Sequence, residues 1–421
     1  MTAALAVWLE GRRIGTLDRV PRRGFQYVPG VDGRLTVAAA GMTAWSPELT
    51  RNWFDGLLPE GDRRARVARR FDVRPEDTFG LLAQIGWECA GAVAILPEGR
   101  SPDDGRYEAI DDTAVGQRLD DLPSRDLDDD DAMRMSLGGA QEKLLLARRD
   151  GSWALPIDGA PSTHILKPEP AIWPGLAVAE AWSLQVARAA THASEAAVAQ
   201  DLGSRPVIVV TRYDREIRGD SILRRHQEDL CQALGLPPSA KYARHPARPD
   251  DPSFAHLARI IQERAANPPN ELVRLLAQVT VTVALRNADA HAKNFSVLHD
   301  GDAVSLSPMY DVSPTTAFLP TQTTLGLSVG GKFRMADVGT EQLVQEAVAW
   351  GVPSRVALDT VRQVASDLAA GVEQADESYP DLPSGPRDVA MAGIEQIQRP
   401  RPGGSDRVTV SRSRGRRRAM P

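Results

Sequence analysis

The chain has 421 residues, a formal net charge of −6 and 42% hydrophobic residues. That length exceeds one ordinary core and points to two or three compact units of a globular protein. No apolar run approaches a membrane span, and the start lacks the basic, apolar and small-residue segments of a secretory leader, so the expected setting is cytoplasmic with no membrane partner. Cys89 and Cys231 form no C-x-x-C pair, so no zinc or redox motif is visible, and both read as buried packing. The last stretch, from Arg399, holds eight arginines against one aspartate. An acidic body with a basic tail lacks the electrostatic footprint of a dedicated DNA binder.

The first unit, residues 1–99, is a small α/β module. Leu5–Leu9 and Ile14–Leu17 flank Glu10-Gly11 as a hairpin, and Phe25 and Tyr27 alternate in another strand. Trp53–Phe71 reads as one arginine-rich helix. Residues 100–131 are polar and end in the run Asp126-Leu-Asp-Asp-Asp-Asp131, the composition of a solvated acidic linker. From Ala132 the pattern is first sheet-rich. Glu142–Arg148 and Trp153–Ile157 flank the turn dipeptide Asp150-Gly151, His164–Lys167 is a strand stopped by Pro168, and Leu176–Ala190 is a helix. Val207–Val210 then leads into Thr211-Arg212-Tyr213-Asp214.

Beyond this point helices dominate. Gln227–Gly235 opens as a helix with acids in its first turn, and Glu271–Arg286 carries an apolar stripe at Leu272, Leu275, Leu276, Val279 and Val283. The expected class is therefore α+β. A sheet-rich lobe spans 132–212, a helix-rich lobe spans 213–396, and they cross near Arg212. The tail, 397–421, has no periodicity and is expected to be disordered.

Three clusters carry chemistry. In Ser136-Leu-Gly-Gly-Ala-Gln-Glu-Lys143, Gly138 and Gly139 let backbone N–H groups approach phosphate oxygens, with Ser136, Ala140 and Gln141 beside them. In Asp289-Ala-His-Ala-Lys-Asn294 the five-residue spacing suits a carboxylate that accepts a hydroxyl proton and an amide oxygen that ligates a metal. A strand from Phe295, a turn at 299–302 and a returning strand from Ala303 bring Asp311 beside Asn294, where the two can share Mg2+, a hard cation. Lys167 is placed to reach the phosphates of ATP. Glu180 lies on an apolar helix stripe with Leu176 and Leu184 and needs a cation, for which Lys167 is the candidate; a nearby arginine is the alternative. Lys293 is a candidate contact to the transferring phosphate, and His291 a loop-orienting residue at the ATP site. Thr211, Arg212 and Tyr213 occupy the expected adenine hinge, where Tyr213 either flanks the base or packs in the core.

With these residues in view, the chain resembles the HipA family of serine/threonine kinase toxins. The likeness rests on the glycine-loop run, on Thr163-His-Ile-Leu-Lys167, on Gln227-Glu-Asp-Leu-Cys-Gln, and on Leu236-Pro-Pro-Ser-Ala-Lys-Tyr242. It also rests on Asp289–Ser296, Met309-Tyr-Asp311 and, in the first unit, Phe54-Asp-Gly-Leu-Leu-Pro59 and Ala83-Gln-Ile-Gly86. The resemblance implies a bilobal protein-kinase-like fold, and ATP and Mg2+ as cofactors. It implies phosphorylation of an aminoacyl-tRNA synthetase, with glutamyl-tRNA synthetase the best-known target, and a small helix-turn-helix antitoxin of HipB type that alone meets DNA. It further implies inhibitory autophosphorylation at Ser136, where added negative charge would expel the loop from the phosphate pocket. Other readings of the same residues are a small-molecule kinase of this fold and a catalytically silent corepressor.

Overall fold

The structure, a computed structural model, describes residues 4–20, 24–30, 35–40, 42, 44–102, 105–122, 141–199 and 202–399. The first strands are β1 (Ala4–Leu9), β2 (Arg12–Val20) and β3 (Gly24–Pro29). Helices α1 (Pro47–Asp55), α2 (Gly61–Arg70) and α3 (Thr78–Ile85) follow, and β4 (Val93–Pro97) completes an antiparallel sheet of order β3-β2-β1-β4. The single helix expected over 53–71 is two. Pro59 cannot donate a helical hydrogen bond, and Gly61 turns the chain at φ +57°.

The segment expected as a featureless linker also differs. It carries β5 (Arg106–Ile110), paired with the strand over Ser152–Ile157, and α4 (Asp112–Asp121), which buries Val115 and Leu119. Burial of that apolar pair outweighs the polar composition of the segment. The aspartate run 128–131, the glycine-loop residues Ser136, Gly138, Gly139 and Ala140, and most of the basic tail lie outside the described residues.

The second sheet contains β6 (Leu144–Arg149), β7 (Ser152–Ile157) and β8 (His164–Pro168), followed by helix α5 (Leu176–Ala190), β9 (Ala196–Ala199) and β10 (Val207–Thr211). Its order is β5-β7-β6-β8-β10-β9. The β6–β7 turn uses Asp150 and Gly151 at φ +49° and +81°, the twist a two-residue hairpin needs. One face of the sheet packs against α5 through Ile208 and Val210 onto Ala177 and Ala181. The other face supplies Leu144, Leu146, Leu166 and Val207 to the same interior as Leu5, Trp53, Phe54 and Leu82. The N-terminal unit and the sheet-rich lobe therefore share one core.

The remainder begins with a small hairpin, β11 (Arg215–Arg218) and β12 (Ser221–Arg224), then β13 (Gln227–Asp229) and α6 (Leu230–Leu234). The residues expected to open that helix are thus a strand. Asp229 is the cap instead, its side chain accepting from Gln232 N in a reciprocal capping box. Helices α7 (Phe254–Arg264) and α8 (Pro268–Ala284) lead to β14 (Ser296–Asp300) and β15 (Ala303–Leu306), and β14 lies between β13 and β15 in a three-stranded sheet. The hairpin β16 (Thr324–Val329) and β17 (Lys332–Arg334) and helices α9 (Thr340–Ala349), α10 (Ser354–Ser378) and α11 (Ser384–Gln398) close the lobe. No helix among the described residues is long and apolar enough to cross a membrane.

Candidate active site

A cleft of about 870 Å³ separates the two lobes. Strand β8 delivers Lys167 to its inner end, where the ammonium lies 2.8 Å from Glu180 Oε1 and 2.7 Å from Asp311 Oδ1. The pairing of Lys167 with Glu180 expected from the apolar stripe is therefore present. Glu180 is buried on α5, and desolvation pushes its carboxyl upward against the opposing pull of Lys167. Burial would lower the Lys167 ammonium, but Asp311 and Glu180 outweigh it and the net direction is up. Asp311 is held down to about 2, chiefly by Lys167. Its backbone sits at φ +57°, a sparsely populated conformation for a residue with a side chain. Lys143, just past the glycine loop, is buried nearby, and burial together with Arg63 and Lys167 pushes its ammonium well down.

Helix α8 ends at Ala284, and Arg286 at φ +55° turns the chain into the loop that bears Asp289, His291, Lys293 and Asn294. Asn287 links this loop to the Asp311 loop: its Nδ2 donates to Asp311 O at 3.3 Å, and its Oδ1 accepts from Asp289 N at 3.2 Å. Strands β14 and β15 return the chain as the sequence suggests, and Tyr310 Oη donates to Lys293 O at 2.7 Å. Asp289, Asn294 and Asp311 thus line one cleft. Asn294 Nδ2 is committed to Asp289 O at 3.1 Å, which leaves its carbonyl oxygen as a donor. An amide oxygen and a carboxylate form a hard donor set that fits magnesium. His291 is buried, and burial, then Lys241, pushes its imidazole down. Its Nδ1 has no hydrogen-bond partner among the described residues, as does Ser313 Oγ in the same cleft. Buried polar atoms without a partner beside a cleft call for a water or a polar ligand. Gly326 of β16 makes room for the loop, since a Cβ there would stand 2.7 Å from Ala290 O.

Two expected contacts take a different form. Lys293 lines the cleft, but its ammonium is directed at Gly56 O at 3.0 Å, at Glu60 Oε1 and at Asp229 Oδ2, both at 3.4 Å. A buried ammonium needs carboxylates around it, and these are supplied from the N-terminal unit and from the cap of α6. Arg212 is also drawn away from the hinge surface. Its guanidinium is buried against Glu88 and Asp214, each at 2.7 Å. Thr211 ends β10, its N–H donating to Glu195 O at 2.8 Å. Tyr213 packs in the interior, stacked on Tyr310 with centroids 5.5 Å apart and its hydroxyl bonded to Gln227. Of the expected nucleotide-site residues, Gln141 and His291 line the cleft, whereas Thr211, Arg212 and Tyr213 do not.

Tyr242 is the participant that residue chemistry alone did not single out. Its hydroxyl donates to Asp289 Oδ1, and its ring meets His291 edge-on at 5.0 Å. The only hint was its place in the Leu236–Tyr242 run, because the contact joins segments 47 residues apart.

Known proteins resemble this chain over most of its length. The "HipA-like C-terminal domain" family model matches residues 135–372, and the "HipA N-terminal domain" model matches residues 5–96. The chain is 33% identical to the "Putative kinase Y4mE" of Sinorhizobium fredii, over 90% of this chain and 94% of that protein. It is 26% identical to the "Serine/threonine-protein kinase toxin HipA" of Shewanella oneidensis, over 77% of each. The solved structure of HipA in the Shewanella oneidensis HipA, HipB and operator DNA complex superposes with a TM-score of 0.80 at 23% identity, covering 94% of this chain and 97% of that one. With both family models matched in order and a relative similar along nearly its whole length, the chain belongs to the HipA family.

Proposed function

We propose that this protein is an ATP-dependent serine/threonine protein kinase of HipA type. The observation that carries the reading is Lys167, held between Glu180 and Asp311, two carboxylates that line one cleft with Asp289 and Asn294. In this reading Lys167 positions the nucleotide phosphates and Gln141 and His291 border them. Asp289 accepts the proton of the acceptor hydroxyl as its oxygen bonds to the γ-phosphorus. The bond from that phosphorus to the bridging oxygen breaks, and ADP leaves. Asn294 and Asp311 would hold magnesium, which would neutralise charge on the phosphates.

The acceptor is a serine of an aminoacyl-tRNA synthetase, with glutamyl-tRNA synthetase the first to test, so that phosphorylation inhibits translation and the kinase acts as a toxin. A HipB-like helix-turn-helix antitoxin is the partner, and contact with DNA runs through it. The complex formed by the Shewanella oneidensis protein of the same fold supports this. Ser136 is the self-inhibiting acceptor. Purified chain incubated with magnesium and γ-labelled ATP is expected to label itself, and phosphoproteomics after brief induction to give a phosphoserine on one synthetase. No label on any protein would refute the reading. Ser136→Ala is expected to stay active longer in the same assay, and phosphate found only at other residues would remove Ser136 from the scheme.

A further inference from the structure

We propose that Glu60, contributed by the N-terminal domain, is a positioning residue of the kinase centre: it sets the catalytic loop through Lys241 and Lys293. The proposal rests on the kinase reading and gives the N-terminal domain a part in it.

Glu60 occupies the cap position of α2 with extended backbone, φ −114° and ψ 164°, but its carboxylate caps no helical N–H. It turns into the cleft instead, with Oε2 at 2.9 Å from Lys241 Nζ and Oε1 at 3.4 Å from Lys293 Nζ. A side chain at this position would ordinarily satisfy an orphan donor of its own helix. Here it bridges two cations, one within the 289–294 loop and one bonded to it through the backbone.

Both lysines are fixed to that loop. Lys293 belongs to it, and Lys241 O accepts the N–H of Ala292 at 2.9 Å. Lys241 also precedes Tyr242, whose hydroxyl is bonded to Asp289. One carboxylate therefore reaches the base by two routes, through Lys293 and through the Lys241-Tyr242 pair. Gly56 O, four residues before Glu60, adds a third tie to Lys293. Arg66 on the same helix pairs with Glu142 beside the glycine loop, so α2 touches both lips of the cleft. Loops hold catalytic groups in place only as firmly as their attachments allow, and these attachments come from a different domain.

Full-length Glu60→Gln keeps the shape of the side chain and removes its charge. The expected result is a kcat lower by roughly 10–100-fold, as small misplacements of a reacting group cause, with KM for ATP unchanged. Combining it with Lys293→Met should cost less than the sum of the two single changes, because the two share the Glu60–Lys293 contact. Hydrogen–deuterium exchange of the ATP-free chain provides a readout independent of activity: amides of 289–294 should exchange faster in Glu60→Gln, while those of β8 and α5 hold. Unchanged exchange in the loop overturns the inference, as does a loss of ATP binding in step with a general loss of stability. If wild-type protein fails to phosphorylate at all, the kinase reading falls instead, and the exchange result still decides whether Glu60 orders the loop.

Discussion

Asp289→Asn is expected to fold normally and to lose phosphoryl transfer by roughly 10²–10⁴-fold, the usual worth of a positioned general base. Among the described residues its carboxylate is hydrogen-bonded to the hydroxyl of half-exposed Tyr242 at the cleft and forms no buried ion pair with a lysine or arginine. Asp311→Asn should be equally silent for a different reason. It removes the carboxylate of the proposed cation site while leaving Lys167 paired with Glu180, so no buried charge is abandoned. Lys167→Met contrasts with both. It strands Glu180 without its ammonium partner, and breaking a buried pair costs about 3–5 kcal/mol. Label incorporation from γ-labelled ATP, read beside a melting curve, separates the three. Full labelling by Asp289→Asn and Asp311→Asn together would defeat the assignment of both residues.

Glu88→Gln should have the largest effect on stability. This carboxylate of the N-terminal unit is buried and meets three guanidiniums from beyond that unit: Arg212 at 2.7 Å, Arg215 at 2.9 Å and Arg224 at 2.5 Å. It also accepts from Ser162 N and Oγ at 3.0 and 2.9 Å. Asp214 alone would then face Arg212 and Arg215, and a buried cation left short of its partner costs about 3–5 kcal/mol. An exposed pair such as Arg355–Asp359 stands at the other extreme, at about 0–1 kcal/mol.

The pH dependence follows from the sign of the shift. Burial alone would raise Glu88, but the arginines win and hold its carboxyl down to about 2, against about 4.3 in an unfolded chain. Folding is therefore favoured by the ionised form. The contribution is complete above about pH 4.3 and is lost as the pH falls toward about 2. Urea titrations should show wild type and Glu88→Gln well apart at neutral pH and converging in acid. A gap that persists unchanged in acid would show that charge is not the source.

Much of the sheet-rich lobe was legible because its signals are local. Alternation around Asp150-Gly151 gave the β6–β7 hairpin, Pro168 marked the end of β8, and the stripe around Glu180 called for a cation. The Asp289-to-Asp311 arrangement was legible for the same reason, since a short hairpin must bring its ends together. What stayed hidden depends on contacts between distant segments. Nothing near Lys293 announces that Gly56 and Glu60 will attract its ammonium away from the position expected beside the phosphate. Nothing near Arg212 announces Glu88. The composition of 100–131 likewise concealed a strand, because edge pairing with β7 and burial of Val115 and Leu119 are supplied by the rest of the fold.

The common interior of the N-terminal unit and the sheet-rich lobe constrains how the chain can be made. Leu5, Trp53 and Phe54 lie in the same cluster as Val207, so the ribosome must deliver about half of the polypeptide before that cluster is complete. At ordinary elongation rates this takes roughly 10–40 s. During that interval the nascent aromatic surface is bare, which makes it a natural client for a holding chaperone and makes slow codons before β10 a hazard to yield.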